Sequence, residues 1–147
     1  MWFKKILILF LFTGLVKAAH ADRSVSVSSP DGSIELSVLH RTDGSITYRV
    51  FYKGKTVIAP SGLGMKFKSP DVLLVKFDLA GVDSSSTTET WKPVWGEMSS
   101  IRNNYKQLVL KLTDRSGSGI QLQIIFRVFN DGVGFRYSFP QQSKLSH

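Results

Sequence analysis

The residues whose types best suit chemistry lie together in one short segment, residues 91–105. Aromatic rings cover the C–H faces of sugars, and amide and guanidinium groups hydrogen-bond sugar hydroxyls. The segment is rich in both kinds of side chain, so its composition suits a carbohydrate. Composition by itself favours the simpler alternative that both tryptophans belong to the core and that the arginine and asparagine brace a loop. The candidate site residues are Trp91, Trp95, Gly96, Glu97, Arg102, Asn103 and Tyr105.

Acidic side chains near this segment could do more than bind, since two positioned carboxylates suffice to cleave a glycosidic bond. Glu97 lies inside the segment, and Glu89 lies just before it. Asp31, Asp43 and Asp131 each precede a glycine in a predicted turn, where a side-chain to backbone hydrogen bond explains them. The pattern positions no pair of carboxylates, and we therefore assign no catalytic residue to this chain.

Histidine and cysteine offer little for metal or nucleophilic chemistry. The chain has no cysteine and three histidines, of which only His40 lies inside the predicted fold, where we expect it to be solvent-exposed in a turn. Disulfides, zinc–cysteine sites and thiol nucleophiles are excluded. A histidine-based metal site or a catalytic triad lacks the residues it needs, so we predict no metal site in this chain.

The charge of the chain is basic, but only modestly so outside its first residues. Nineteen Lys and Arg oppose 11 Asp and Glu, which gives a formal net charge of +8, and Lys4, Lys5 and Lys17 contribute part of the excess. The remainder favours dispersal in water and anionic partners, but it does not argue for nucleic acid.

The amino terminus has the three parts of an export signal. Lys4 and Lys5 precede an apolar run of about eleven residues, too short to span a bilayer comfortably. Ala19-His20-Ala21 fits the small-x-small cleavage pattern. We expect residues 1–21 to be a signal peptide cleaved between Ala21 and Asp22, which places the mature chain in the periplasm or outside the cell, free of the membrane. The alternative is an uncleaved anchor.

The remaining residues alternate between polar and apolar types, which is the period of strands with one buried face. Residues 80–90 are rich in serine and threonine and are predicted to be a loop inside the fold or a weakly paired edge. No amphipathic helix is evident after residue 21, and the pattern predicts an all-β, antiparallel sandwich. The alternation is clearest in residues 24–28, 34–38, 105–113 and 120–129.

The last predicted hairpin carries more apolar residues than the preceding strands are expected to cover. Only seven residues follow Pro140, so we expect a sandwich that is incomplete at its carboxy-terminal end, marginally stable and prone to self-association. The apolar side chains in question are Ile124, Phe126, Val128, Phe135, Tyr137 and Phe139.

Several stretches of the sequence, in their order and spacing, resemble the amino-terminal domain of glycoside hydrolase family 97. The resemblance runs across residues 28–140, which is nearly all of the predicted mature chain. The matching stretches are Ser28-Ser-Pro-Asp-Gly-Ser-Ile-Glu-Leu36, residues 48–58, Pro60-Ser-Gly-Leu-Gly64, the aromatic block from Trp91 through Trp95-Gly96 to Arg102-Asn103-Asn104-Tyr105, and residues 126–140.

The resemblance implies an exported α-glucosidase or α-galactosidase in three parts: a galactose-mutarotase-like β-sandwich, a catalytic (β/α)₈ barrel and a small carboxy-terminal β domain. It implies catalytic carboxylates in the barrel and a calcium ion whose glutamate ligands lie outside this chain, so the chain itself holds no cofactor. The sugar partner would be an α-glucoside or an α-galactoside. The implied role of the Trp95-Gly96 and Arg102-Asn103-Tyr105 block is scaffold or rim of the site that faces the barrel.

Residues 22–147 are thus interpreted as a partial amino-terminal sandwich that lacks its catalytic barrel and is no enzyme by itself. Two alternatives remain open. One is a free-standing secreted module that binds carbohydrate or serves adhesion. The other is a remnant of a coding sequence that never folds stably.

Overall fold

A computed structural model of the chain describes residues 21–68, 71–95 and 100–145, and these form almost entirely β-structure. Strands and turns alternate along the sequence, and a single 3₁₀ turn at Ser143–Leu145 is the only helical element among the described residues. No helix in the described ranges is long and apolar enough to cross a membrane. The prediction of an all-β, antiparallel fold is confirmed.

The first sheet contains four antiparallel strands in sequential order. Its alternating residues place Leu36, Val38 and Ile46 on the inner face, where each is no more than 1% exposed. Glycines with positive φ, at Gly32 and Gly54, close two of its turns because other side chains rarely adopt that conformation. The strands are β1 (Arg23–Ser28), β2 (Ile34–His40), β3 (Ile46–Tyr52) and β4 (Lys55–Leu63).

The second sheet is also four-stranded and antiparallel, with the order β10–β9–β8–β7. Two short strands, β5 (Met65–Lys66) and β6 (Leu73–Leu74), pair with each other between the two sheets in the sequence. The strands of the second sheet are β7 (Phe77–Trp91), β8 (Ile101–Asp114), β9 (Gln121–Val128) and β10 (Val133–Ser138).

The two sheets pack face to face, with β1 over β8 and β2 over β9. Leu110, Ile124 and Phe126 from the second sheet meet Leu36 and Val38 from the first in one continuous core. Burying each such side chain contributes about 1.5–3 kcal/mol relative to leaving it in water. The alternating pattern is therefore the main source of stability in the sandwich.

The final hairpin is better covered than its composition predicts. Ile124, Phe126 and Val128 are all fully buried, because the first sheet supplies the layer that faces them. The expectation that these three lack cover is wrong. On β10, which is an edge strand, Phe135 stays 43% exposed, although its ring lies 5.5 Å from that of Phe126.

Residues 80–90 lie in a strand rather than in a loop, with a register shift between Leu79 and Gly81, and the predicted alternative of an edge position is confirmed. They belong to β7, which pairs with β8 from Phe77 opposite Asp114 to Trp91 opposite Ile101. Serine and threonine suit this strand because it lies at the edge of its sheet, where the side chains of residues 83–86 are exposed. Pairing with the apolar strand β8 overrides the weak strand preference of the segment.

The base of β7 is tied to turns from both sheets. The Arg115 guanidinium donates to Asp78 Oδ1 at 2.8 and 2.6 Å and to the Thr42 carbonyl oxygen at 2.9 Å. Gly44, at φ +85°, has room for no side chain, since a Cβ there would lie 3.1 Å from backbone atoms of Phe77. His40 is half-buried rather than exposed, with Nε2 2.8 Å from the carbonyl oxygen of Phe77.

Candidate functional site

The candidate residues lie on a two-stranded projection of the second sheet. Strand β9 pairs with β8 only as far as Lys106, whereas β7 and β8 continue together to Trp91 and Ile101. We call this projection the arm and define it as residues 87–95 and 100–105. Its five paired positions extend about 17 Å beyond the last residue of β9. Strand β9 does not extend along it, so among the described residues β8 has only β7 as a neighbouring strand there.

Both tryptophans of the arm are exposed. Trp91, the last residue of β7, is 51% exposed, and Trp95 in the following segment is 88% exposed. Val94 beside it is 89% exposed. The simpler alternative, in which the two tryptophans belong to the core, is therefore wrong. Both lie on the arm, along which β9 does not extend.

The register divides the candidate residues between two faces of the arm. Trp91 and Asn103 share the face that continues as the outer surface of the second sheet, together with Glu89, which pairs with Asn103. Arg102 is exposed but lies opposite Thr90 on the other face. The structure thus brings Trp91 and Asn103 together and does not bring Arg102 to them.

Hydrogen bonds between side chains stiffen the arm. The Asn103 amide donates to a carboxylate oxygen of Glu89, and the Thr88 hydroxyl donates to Asn104 Oδ1 at 2.9 Å on the opposite face. An isolated two-stranded ribbon is marginally stable in water, so such cross-strand pairs matter. The contact with Glu89 uses one amide hydrogen of Asn103, and the side chain has a second amide hydrogen and a carbonyl oxygen besides.

Tyr105 lies at the root of the arm and is buried, at 7% exposed. The Arg127 guanidinium stacks on its ring at 4.5 Å, and the ring of Phe129 lies 5.2 Å away. Its role is therefore to anchor the arm to β9. Sequence reasoning missed Arg127 and Phe129, and only the strand register, which places Arg127 opposite Gln107, reveals them.

Four further sequence predictions fall at or beyond the ends of the described ranges. Gly96 and Glu97 lie outside the described residues, as do residues 1–20 of the predicted signal peptide. Ala21 and Asp22 are described and exposed. The carboxylate of Asp22 accepts a hydrogen bond from the backbone N–H of Thr42 at 2.9 Å, so the chain is already fastened to the sandwich at this residue.

The described acids do not form a metal centre. Calcium needs six to eight oxygen ligands, usually with several carboxylates among them. Within residues 21–68, 71–95 and 100–145, no group of three acidic, histidine or cysteine side chains lies close enough to hold an ion. The calcium ion that the resemblance implies does not fit the donor set of these residues, and no chemical step here depends on it.

The carboxyls with shifted pKa values serve turns rather than proton transfer. Hydrogen bonds from the Ser29 hydroxyl and from Ser33 lower the pKa of Asp31, and those from Ser45 lower the pKa of Asp43. The structural interpretation of these two aspartates is confirmed, since each bonds the backbone N–H two residues on, at 2.9 Å. A general acid at neutral pH needs a raised pKa, which neither carboxyl has.

The family model described as "Glycosyl-hydrolase 97 N-terminal" matches residues 27–147. A "Probable retaining alpha-galactosidase" of Streptomyces bingchenggensis (strain BCW-1) is 30% identical over 129 residues. That match covers 85% of this chain and 20% of the relative.

Solved structures with the same fold belong to enzymes of which this chain also covers only about a fifth. A glycoside hydrolase family 97 enzyme of Pseudoalteromonas sp. strain K8, in complex with acarbose, is 30% identical with a TM-score of 0.72, and the match covers 81% of this chain and 18% of that one. A β-arabinopyranosidase is 28% identical with a TM-score of 0.71, over the same shares. The chain therefore spans about a fifth of the length of these relatives.

Proposed function

The chain belongs to the family of glycosyl-hydrolase 97 N-terminal domains, and on that premise we propose that it is the amino-terminal β-sandwich of an exported α-glycosidase. Its part in the enzyme is to shape the mouth of the sugar site, with no catalysis of its own. The match to relatives over about a fifth of their length supports a role as one domain of a larger enzyme.

The observation that carries this proposal is the exposure of two tryptophans on a projecting arm. Trp91 shares a face with the amide of Asn103, while Trp95 lies at the tip and is 88% exposed. Water-exposed indole rings are costly unless something covers them, and a sugar ring with its hydroxyls fits an indole beside an amide. We assign these residues, with Gly96, Glu97, Arg102 and Tyr105, to the rim of the site or to its support.

The proposed substrate of the whole enzyme is an α-glucoside or an α-galactoside. The Streptomyces relative is described as an α-galactosidase, and two structures of the Pseudoalteromonas enzyme hold acarbose and panose. These names support carbohydrate as the partner class. The choice between the two sugars falls to residues of the barrel, which we propose also supplies the catalytic carboxylates and the calcium ligands.

The proposal also includes export of the protein through a cleaved signal peptide. The charged, apolar and small-residue parts of the first 21 residues support cleavage between Ala21 and Asp22 and a location in the periplasm or outside the cell. Mass spectrometry of the exported protein should give a chain that begins at Asp22. An exported chain that still begins at Met1 would contradict cleavage.

A sugar titration tests the role of the arm. We expect panose or methyl α-galactoside to shift the NMR signals of Trp91, Trp95 and Asn103 with affinity no better than about millimolar, because the rim is only part of the site. Trp95→Ala should abolish the shifts. Val57→Ala is the matched control, since Val57 is 64% exposed on the other sheet. Unchanged signals at saturating sugar would refute a sugar-facing arm.

An activity assay tests the absence of catalysis. Pure protein should not hydrolyse aryl α-glucosides or α-galactosides, because the chain spans only about a fifth of the enzymes that it matches. Hydrolysis that disappears in Glu97→Gln would overturn this part of the proposal.

The second candidate is a free-standing carbohydrate-binding module, favoured by one observation. The two four-stranded sheets, together with Leu74 of the short strand β6, bury one continuous core. A sharp, cooperative melt from a monomer, together with tight sugar binding, would support this candidate over the domain of a larger enzyme.

A further inference from the structure

A groove on the outer face of the second sheet combines two guanidinium groups with an apolar wall. It has a volume of about 450 Å³ and lies beside β9 and β10. We call it the Gly134 groove. Its lining residues are Ile125, Arg127, Phe129, Gly134, Phe135 and Arg136.

Arg127 is held in one orientation with its outer donors unused. Its guanidinium stacks on Tyr105 at 4.5 Å, and its Nε–H donates to Gln107 Oε1 at 3.0 Å. Neither terminal amino group forms a hydrogen bond or ion pair within the described part of the chain. A guanidinium fixed in this way has already lost the side-chain freedom that binding a ligand would otherwise remove.

The register places a second guanidinium next to the first. Gly134 lies directly opposite Arg127, and Arg136 lies opposite Ile125, so the two arginines are diagonal neighbours on one face. Gly134 leaves the space between them open, since nothing lies within 4 Å of where its Cβ would be. No described carboxylate pairs with Arg136 either.

Arg115 shows how an arginine with a purely structural role is satisfied in this molecule. All three of its nitrogen groups have acceptors, on Asp78 and on the carbonyl of Thr42. Arg127 and Arg136 have no such acceptors, and two guanidinium charges on one face repel each other. A carboxylate between them would relieve the repulsion and accept parallel hydrogen bonds.

We propose that the Gly134 groove binds the carboxylate of an acidic sugar, a uronic acid residue in a glycan. Arg127 and Arg136 hold the carboxylate, and Ile125 and the ring of Phe129 cover an apolar face of the sugar ring. The groove lies on the same face of the sheet as Trp91 and Asn103, so one glycan could contact both. This inference rests on the proposed function only in taking carbohydrate as the ligand class.

The test is a titration of the exported protein with galacturonate and glucuronate at about physiological ionic strength, where nonspecific charge effects are screened. We expect the side-chain NMR signals of Arg127 and Arg136 to shift saturably. Galactose and glucose should leave them in place. Arg136→Gln should weaken binding at least tenfold, whereas Arg49→Gln, a matched change at an arginine stacked on Phe51 on the other sheet, should have no effect.

One further variant and one further ligand separate the outcomes. Gly134→Val keeps both charges but fills the groove, and it should also weaken galacturonate binding. Acetate that binds as tightly as galacturonate would overturn the assignment to a sugar, as would equal shifts with galactose. The absence of any saturable shift would overturn the site itself. The neutral-sugar titration is followed at the arm, whereas the galacturonate titration is followed at the two arginines of the groove. Either proposal can therefore be refuted without the other.

Discussion

The two ends of the long β7–β8 ribbon are built in opposite ways. At its base, Asp78 and Arg115 connect to Thr42 of the other sheet, and Asp114 is 4% exposed. At its tip, the strands have no neighbour, and Trp91 and Trp95 face solvent. The same two strands therefore stabilise the sandwich at one end and expose aromatic side chains to solvent at the other.

This difference between base and tip predicts where substitutions should be tolerated. At the base, the Arg115 side chain bonds to Asp78 on β7 and to the Thr42 carbonyl of the other sheet, so losing it removes a connection between the two sheets. A residue at the tip has partners only across the ribbon. Stability should therefore be insensitive to the arm, and binding should be insensitive to the base.

The largest effect is expected in the core between the two sheets. Phe126→Ala should lower the free energy of unfolding by about 3–5 kcal/mol, because it leaves a cavity between the two sheets. Chemical denaturation followed by far-UV circular dichroism measures this. Phe135→Ala is the matched control, since Phe135 is 43% exposed and should cost clearly less. Equal losses would mean that the edge of the sheet is packed as tightly as its centre.

Asp114→Ala should cost about 1–3 kcal/mol, since the Ser116 and Ser118 hydroxyls lose a charged acceptor. Asp114 Oδ2 accepts hydrogen bonds from Ser116 and from the Ser118 hydroxyl, the latter at 2.5 Å. The same denaturation experiment applies, with Asp83→Ala, an exposed aspartate on β7, as the control. A cost no greater than that of the control would contradict a structural role for Asp114.

The pH dependence of stability should follow the same carboxyl. Burial raises the pKa of Asp114, but the hydrogen bonds from Ser116 and Ser118 outweigh it and hold the pKa below 3.8. Because the folded pKa lies below the unfolded one, the stabilisation is complete above 3.8 and is lost as the pH falls through the folded value. Asp114→Ala should therefore lose less stability than the unaltered chain on acidification to about pH 2.

Arg115→Gln should cost about 1 kcal/mol, because its ion pair with Asp78 is partly exposed but its bond to the Thr42 carbonyl ties two sheets together. Arg136→Gln, at an arginine with no partner among the described residues, should change stability by less than about 0.5 kcal/mol. If both variants change the free energy of unfolding by the same amount, the hydrogen bonds of Arg115 at the base contribute nothing measurable to stability.

The smallest effect is expected at the tip. Trp95→Ala should leave the free energy of unfolding within about 0.5 kcal/mol, because the side chain is 88% exposed. A loss above about 1 kcal/mol would erase the contrast between base and tip and would show that the indole packs against the sandwich.

The strands were predictable where burial imposes a period of two. Leu108, Leu110 and Leu112 alternate with polar or smaller residues, and the structure buries all three. Residues 80–90 were predicted to be either a loop or a weakly paired edge, because serine and threonine do not indicate the apolar neighbour β8, with which they pair as an edge strand. Local composition cannot report a partner that lies many residues away.

The candidate site was predictable in content but not in arrangement. The types of Trp91, Trp95 and Asn103 suit a carbohydrate, although composition by itself favoured a core position for the tryptophans. Their exposure depends on the end of β9, which lies opposite Lys106, while β8 continues beyond it. No residue of the segment predicts where β9 ends. The stack of Arg127 on Tyr105 likewise depends on a pairing between distant strands.

The placement of tryptophan has a spectroscopic consequence. The chain has three tryptophans, and Trp2 lies in the predicted leader, so a chain without residues 1–21 keeps only Trp91 and Trp95. Both belong to the arm and both are exposed, so their emission should be red-shifted and readily quenched by iodide even in the native state. Intrinsic fluorescence would then report the surroundings of the arm alone and remain almost silent while the core unfolds.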